Sequence, residues 1–267
     1  MTNFATDAGM ALSAPRRAGP LLAIASGKGG VGKTTLAIAM AHAFSRRGQR
    51  TLLVDADLGM ANVDVQLGVS AVSDLASVVA GDLSLAEAVN SAGEDSFDLI
   101  AGPSGSAALA GLDLENVNRL AAGVTAASMA YDRTLIDLAA GAERSTIRLA
   151  AAADDVIVVL NDEPTSLTDA YAFVKTLRMR DEGASPFVVV NNAPDHASAQ
   201  AAYAGFAKTC ESFLGFRPPL AGIVRRDPHV PQAIRAQVML EKRYPACDAA
   251  SDIGKLVRAL EHGVPVK

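Results

Sequence analysis

Five apolar residues, Leu21–Ala25, lead into Gly27-Lys28-Gly29-Gly30-Val31-Gly32-Lys33-Thr34-Thr35, and an Ala-rich stretch begins at once behind them. Few folds accept such a glycine-dense turn between two regular elements. The glycines allow backbone angles that other residues avoid, so that successive N–H groups can turn inward onto one anion. The start of the following helix adds the positive end of its dipole. The spacing matches GxxxxGK[ST], in strand-before, helix-after context, which is the pattern of a phosphate-cradling loop. The backbone of Gly29, Gly30, Val31 and Gly32 is expected to hold phosphate oxygens. Lys33 would reach the β- and γ-phosphates, Thr34 would ligate Mg²⁺, and Thr35 stands where a hydroxyl meets the α-phosphate. The ligands implied are ATP and Mg²⁺. A glycine-rich turn with a chance lysine does not account for nine matching residues in this context.

The rest of the chain repeats the strand–helix alternation. Strands are expected at Leu21–Ala25, Thr51–Val54, Phe97–Ile100, Arg133–Ile136, Val156–Leu160, Phe187–Val190 and Leu220–Val224. Helices are expected at Lys33–Arg47, Leu114–Ala130, Ser145–Ala153, Ser166–Arg180 and His196–Phe213. Several strand segments are continuous apolar runs, as parallel strands covered on both faces require. The fold class that follows is α/β: a doubly wound, mostly parallel sheet with helices on both faces. Residues 1–18 carry little periodicity and are expected to form a flexible extension, with residues 19–267 as a single P-loop ATPase domain.

Composition excludes several alternatives. Two cysteines among 267 residues, Cys210 and Cys247, give no disulfide framework and no four-thiolate metal site. No apolar run approaches the ~18 residues of a membrane span. Arg16-Arg17 before an apolar stretch faintly resembles an export signal, but cleavage there would damage the glycine loop, so a cytoplasmic location is expected. A net charge of −5 gives no overall pull toward DNA or an anionic membrane.

Acidic residues mark the ends of two strands. Thr51-Leu-Leu-Val-Asp55-Ala-Asp57 places two carboxylates on one side of an extended chain, at the end where α/β folds bind ligands. Arg133-Thr-Leu-Ile-Asp137 is an apolar strand ending in a carboxylate that would hold Mg²⁺ through water.

Lys28, inside the glycine arc, is unnecessary for the phosphates of its own chain because Lys33 serves them. With Lys28 the loop reads KGGxGK[ST], and the sequence resembles the MinD/ParA family of deviant Walker A ATPases. The resemblance implies that Lys28 reaches across an ATP-sandwich homodimer to the partner copy's phosphates. Asp57-Leu-Gly-Met-Ala-Asn62-Val-Asp64 resembles the family's first switch region, which implies that Asp57 positions the attacking water and Asp55 belongs to the Mg²⁺ shell. Many relatives carry a hydroxyl residue after the Asp137 equivalent; Leu138 and Ala139 stand here, which leaves the tuning of hydrolysis open. The strand ending in Asn191-Asn192 offers an amide that can donate to and accept from adenine, and the resemblance carries that contact onto Asn191. It also carries a nucleotide contact onto Asp227, with a loop-capping carboxylate as the other reading.

Three segments, the Asp57–Asp64 run, Ile100-Ala-Gly-Pro-Ser-Gly105 and Glu163-Pro-Thr-Ser-Leu-Thr-Asp169-Ala-Tyr171, resemble the FlhG/FleN branch, regulators of flagellar number and placement. This implies the GTPase FlhF or flagellar switch proteins as partners. Thr6–Leu12 loosely resembles the segment with which relatives engage FlhF. The stretch from Asp252 to Leu260 is similar to a membrane-targeting helix, which implies a possible peripheral membrane contact, but it reads equally as a packed final helix. The alternative is a ParA-type partition ATPase that binds DNA as an ATP dimer. Only Arg225-Arg226 and Lys242-Arg243 could supply its basic stripe, so DNA is an unexpected partner.

The separation of roles is testable. Lys33→Ala is expected to abolish ATP binding, whereas Asp57→Ala keeps binding and loses turnover, because Lys33 meets ground-state phosphate charge and Asp57 acts on the attacking water. Equal loss of nucleotide affinity in both variants would refute it.

Overall fold

A computed structural model describes residues 19–94, 96–103 and 112–262. Its strands are β1 (Leu21–Ser26), β2 (Thr51–Ala56), β3 (Asn90–Ser91), β4 (Asp98–Ile100), β5 (Arg133–Ala140), β6 (Asp155–Leu160), β7 (Phe187–Ala193) and β8 (Leu220–Arg225). They form one sheet in the order β3-β4-β2-β5-β1-β6-β7-β8, parallel throughout except for the two-residue β3. The expected α/β doubly wound sheet is therefore what the chain builds.

Side chains alternate across this sheet between two cores. Leu21, Ala23 and Ala25 of β1 face one core with Phe173 and Phe206, while Leu22 and Ile24 face the other with Met40, Phe44 and Leu256. The first core is covered by α4 (Leu114–Ser128), α5 (Arg144–Ala150), α6 (Pro164–Arg180) and α7 (His196–Leu214). The second is covered by α1 (Lys33–Ser45) and α10 (Asp248–Glu261). Burial on both faces explains why the strands read as unbroken apolar runs.

Helix ends follow local chemistry. Asp113 and Asp195 accept N-cap hydrogen bonds from the backbones of Asn116 and Ser198, and Pro164 opens α6, where a missing N–H is harmless. Four short helices lie outside the expected set: α2 (Val63–Leu67), α3 (Leu75–Ala80), α8 (His229–Arg235) and α9 (Leu240–Arg243). β5 also runs to Ala140 instead of stopping at Ile136, because Leu138 pairs with Ala56 of β2 and Ala140 with Ser26 of β1. Asp137 thus sits inside a strand held from both sides.

The membrane-helix resemblance finds no support in α10. Its apolar face, Ile253, Leu256 and Val257, is buried in the second core. Packing there is close: a Cβ on Gly222 of β8 would lie 3.2 Å from the Leu256 Cδ1. Arg225, at the end of β8, donates from Nε to Asp252 at 2.7 Å, fixing the helix to the sheet. No helix among the described residues is long and apolar enough to cross a membrane. The Thr6–Leu12 segment lies outside the described residues.

If α10 is a core helix, Leu256→Ala should destabilise the protein by about 2–5 kcal/mol in urea unfolding. Lys255→Ala, which removes only an exposed partner of Asp252, should change stability by less than about 1 kcal/mol. Unaltered stability of Leu256→Ala would return α10 to the membrane reading.

Candidate nucleotide site

β1 lies where the chain's connections diverge to the two halves of the sheet, and the crevice beyond its carboxyl end is where such folds take ligands. The glycine loop occupies that crevice. Gly30 and Gly32 adopt left-handed angles, φ 82° and 84°, which other residues rarely tolerate. A Cβ on Gly29 or Gly30 would meet nothing within 4 Å, so the loop's outer face is open. Its base is closely packed: a Cβ on Gly27 would fall 2.0 Å from the Asp169 carbonyl carbon of α6.

Below the loop lies a buried cluster of charge. Lys33 Nζ donates to Asp137 Oδ1 at 2.6 Å, with side-chain exposures of 7% and 0%. Asp55 stands beside Asp137 in register on the adjacent strand. One Asp55 oxygen accepts from the Asn62 and Val63 N–H groups at 2.9 and 3.0 Å, and the other from Asp57 N–H at 3.2 Å. Burial, with the Asp137 charge next to it, pushes the Asp55 carboxyl up to about 7 against these three donors. Burial also raises Asp137, opposed by Lys33 and Thr34.

Among the described residues the second Asp137 oxygen is buried and meets no donor in good hydrogen-bond geometry, although the Thr34 hydroxyl lies close enough to favour the charged carboxylate. Two buried carboxylates, one of them with an unpaired oxygen, and the Thr34 hydroxyl form a hard-oxygen donor set that fits Mg²⁺, with the Lys33 ammonium beside it as a charge partner and not a ligand. Leu138 does not face this site. It is fully buried in the first core, so the hydrocarbon side chain at that position serves packing.

The remaining residues are held nearby. Asp57 Oδ1 accepts from the Gly59 and Met60 N–H groups at 3.3 and 3.0 Å, closing the first switch turn. Thr35 Oγ1 bonds Gln66 Oε1 at 3.0 Å, joining the loop helix to α2. Lys28 is not aimed at its own loop: its Nζ donates to Glu163 at 2.6 Å and to Thr165 at 2.9 Å. That pairing holds the Glu163 carboxyl below its ordinary range.

A cleft of about 630 Å³ adjoins the loop, walled by Gly32, Thr35, Asn191, Arg226, Pro228 and Val230, with Asp227 at its edge. Its size suits a small ligand. Asn191 Nδ2 donates to the Val31 carbonyl at 2.8 Å, so it braces the loop from the cleft side. The Asp227 carboxylate accepts from His229 N–H at 2.9 Å and Ala249 N–H at 3.2 Å. Burial would raise it, but these donors prevail and hold it at about 2. Asp227 thus caps a loop and lines the cleft at once.

The structure brings Lys28, Lys33, Thr34, Thr35, Asp55, Asp57 and Asp137 to one end of the sheet. Glu163, Thr165 and Gln66 were not assigned a role from sequence, although the first two lie in the conspicuous EPTSLTDAY run.

The domain model described as the CobQ/CobB/MinD/ParA nucleotide binding domain matches residues 22–238. The chain belongs to this family. It is 34% identical over 231 residues to the antiactivator FleN of Pseudomonas aeruginosa, covering 86% of this chain and 82% of that one. It is 27% identical over 257 residues to the flagellum site-determining protein YlxH of Helicobacter pylori, covering 91% and 83% respectively. The septum site-determining protein MinD of Pyrococcus horikoshii, solved with Mg-ADP, superposes with a TM-score of 0.73 at 25% identity, covering 93% of this chain and 99% of that one. The MinD/ParA fold and its flagellar relatives agree with the resemblance carried by the loop and the EPTSLTDAY run. The MinD/ParA members of this family are nucleotide-binding ATPases, and the Pyrococcus horikoshii MinD was solved with Mg-ADP.

The raised Asp55 pKa makes a pH prediction. It lies above the ordinary 3.8, so ionising Asp55 penalises the folded chain. The penalty is absent below about pH 4, grows through about pH 4 to 7, and is complete above about pH 7. In thermal unfolding without nucleotide, Asp55→Asn should therefore gain on wild type as pH rises from about 5 to about 7.5. A pH-independent difference between the two proteins would refute this.

Proposed function

We propose that this MinD/ParA-type ATPase is a molecular switch that dimerises on ATP, hydrolyses it slowly, and regulates flagellar number or placement. The observation that carries the reading is Lys28. It is a lysine in the glycine arc that its own loop does not use, lodged on Glu163 and Thr165 beside the open face. A charge so placed is available to a second copy whose phosphates lie opposite.

In this reading Lys33 and the loop backbone bind the β- and γ-phosphates, and Asn191 and Asp227 stand at the base end. Thr34, Asp137 and Asp55 are the residues that would hold Mg²⁺, which would supply charge neutralisation for the phosphates when bound. Asp57 orients the attacking water, and Lys28 adds positive charge from the partner copy. Release of phosphate removes what Lys28 holds, so the dimer opens.

The flagellar assignment rests on the likeness to FleN and YlxH, and it makes the GTPase FlhF or flagellar switch proteins the expected partners, with the cytoplasm as the site of action. The partition reading has little basic surface to rest on. Of its four candidate cations Arg225 is committed to Asp248 and Asp252, which leaves Arg226, Lys242 and Arg243 exposed.

Sedimentation with ATP and Mg²⁺ should show a dimer for Asp57→Ala and a monomer for Lys28→Ala; a dimer indifferent to nucleotide would sink the switch. Phosphate release should be slow alone and rise with FlhF or a flagellar switch protein. The compact lysine ammonium lacks the planar fork of an arginine finger, which in related systems is worth ~10³–10⁵ in rate. Fast turnover without a partner would point to a metabolic enzyme, and stimulation by DNA alone to partition.

A further inference from the structure

At the far side of the cleft, three side chains of different chemistry meet. Asp227 follows β8, His229 opens α8, and Cys247 is the N-cap of α10. Their ligand atoms all lie within 4.8 Å of one another. His229 Nδ1 is 2.7 Å from Asp227 Oδ1. Asp227 and Cys247 are buried, whereas the His229 side chain is 42% exposed.

We propose that Asp227, His229 and Cys247 form a binding site for a zinc-class divalent ion, separate from the Mg²⁺ position under the phosphate loop. Zinc bonds of ~2.0–2.3 Å space tetrahedral ligands about 3.3–3.7 Å apart, so to surround an ion the 2.7 Å Asp227–His229 contact opens by under about 1 Å and the wider spacings, none above 4.8 Å, draw in. A thiolate and an imidazole beside one carboxylate select a zinc-like ion over Mg²⁺ or Ca²⁺, which want oxygen alone. The exposed His229 edge gives entry and leaves a fourth position for water.

Two further facts favour an ion. The Cys247 sulfur accepts from Ala250 N–H at 3.5 Å and its thiol also meets the Asp227 carboxylate, so cysteine stands at a cap position where serine is the common choice and its sulfur already faces a second ligand. The three residues also join separate segments: the 227–229 loop, whose Asp227 and Pro228 line the cleft, and the N-terminus of α10. An ion here would staple the cleft wall to the last helix.

The test is titration of the metal-free full-length chain with cobalt(II). One equivalent should produce the near-ultraviolet thiolate-to-cobalt charge-transfer band and tetrahedral visible absorption, both displaced by zinc. Cys247→Ser keeps a capping oxygen and should lose the charge-transfer band, with cobalt affinity falling by more than ~10-fold, as losing a metal contact does. His229→Ala should weaken binding similarly, and Cys210→Ala should leave the band intact. Zinc should raise the melting temperature of wild type but not of Cys247→Ser. Absence of the band, or a band that survives Cys247→Ser, overturns the proposal.

Discussion

The structure is organised around a lysine and two carboxylates that water cannot reach. Ionised groups removed from solvent are stable only when closely paired, and Lys33 with Asp137 at 2.6 Å meets that demand for one carboxylate. Asp55, one strand over, is left beside Asp137 with backbone N–H groups as its compensation among the described residues. Its pKa of about 7 records the imbalance. A site with more buried negative charge than positive is poised for a dication, and the free second oxygen of Asp137 shows where the deficit lies.

That cluster also governs the loops above it. Asp55 gathers the N–H groups of Asp57, Asn62 and Val63, so the turn from Asp57 to Val63 hangs from a buried carboxylate of the charge cluster. Gly102 lies directly beneath: a Cβ there would fall 2.4 Å from the Ala61 Cβ and 2.8 Å from the Asp55 carbonyl oxygen. Gln66 then links α2 to Thr35 on the loop helix. Any change of charge at the centre therefore acts on switch turn, α2 and α1 through direct contacts.

How much of this was readable in sequence depended on whether the relevant residues are neighbours in the chain. The phosphate loop was legible because nine consecutive residues make it, and the strands because burial on both faces leaves uninterrupted apolar runs. Helices α2, α3, α8 and α9 were not, since four to seven residues scarcely establish a 3.6-residue period, and α5, equally short, was legible only within the longer Ala-rich stretch from Ser145 to Ala153. Two-residue β3 left no pattern at all. The role of Leu138 depended on which way one side chain points within β5, and the environment of Asp227 depended on α10, some twenty residues further along the chain. Both are facts of tertiary packing. The EPTSLTDAY run stood out as a motif, yet its job needed the approach of Lys28 across more than a hundred residues.

That approach has a physical origin in size. Gly27 lies against the Asp169–Ala170 backbone so tightly that even an alanine would force the loop and α6 apart. Contact at this distance is what an Ala- and Gly-rich, tryptophan-free chain can build, because small side chains let a loop and a helix touch backbone to backbone. It brings the N-terminus of α6, with Glu163 and Thr165, level with Lys28. Glu163 is exposed and lies at the start of a 17-residue helix whose far end carries the surface residue Met179. A rigid element thus runs from the lysine that distinguishes this loop to the protein surface. A movement of Lys28 away from Glu163 would remove a charge partner from one end of that element without disturbing the Gly27 contact that holds it in place.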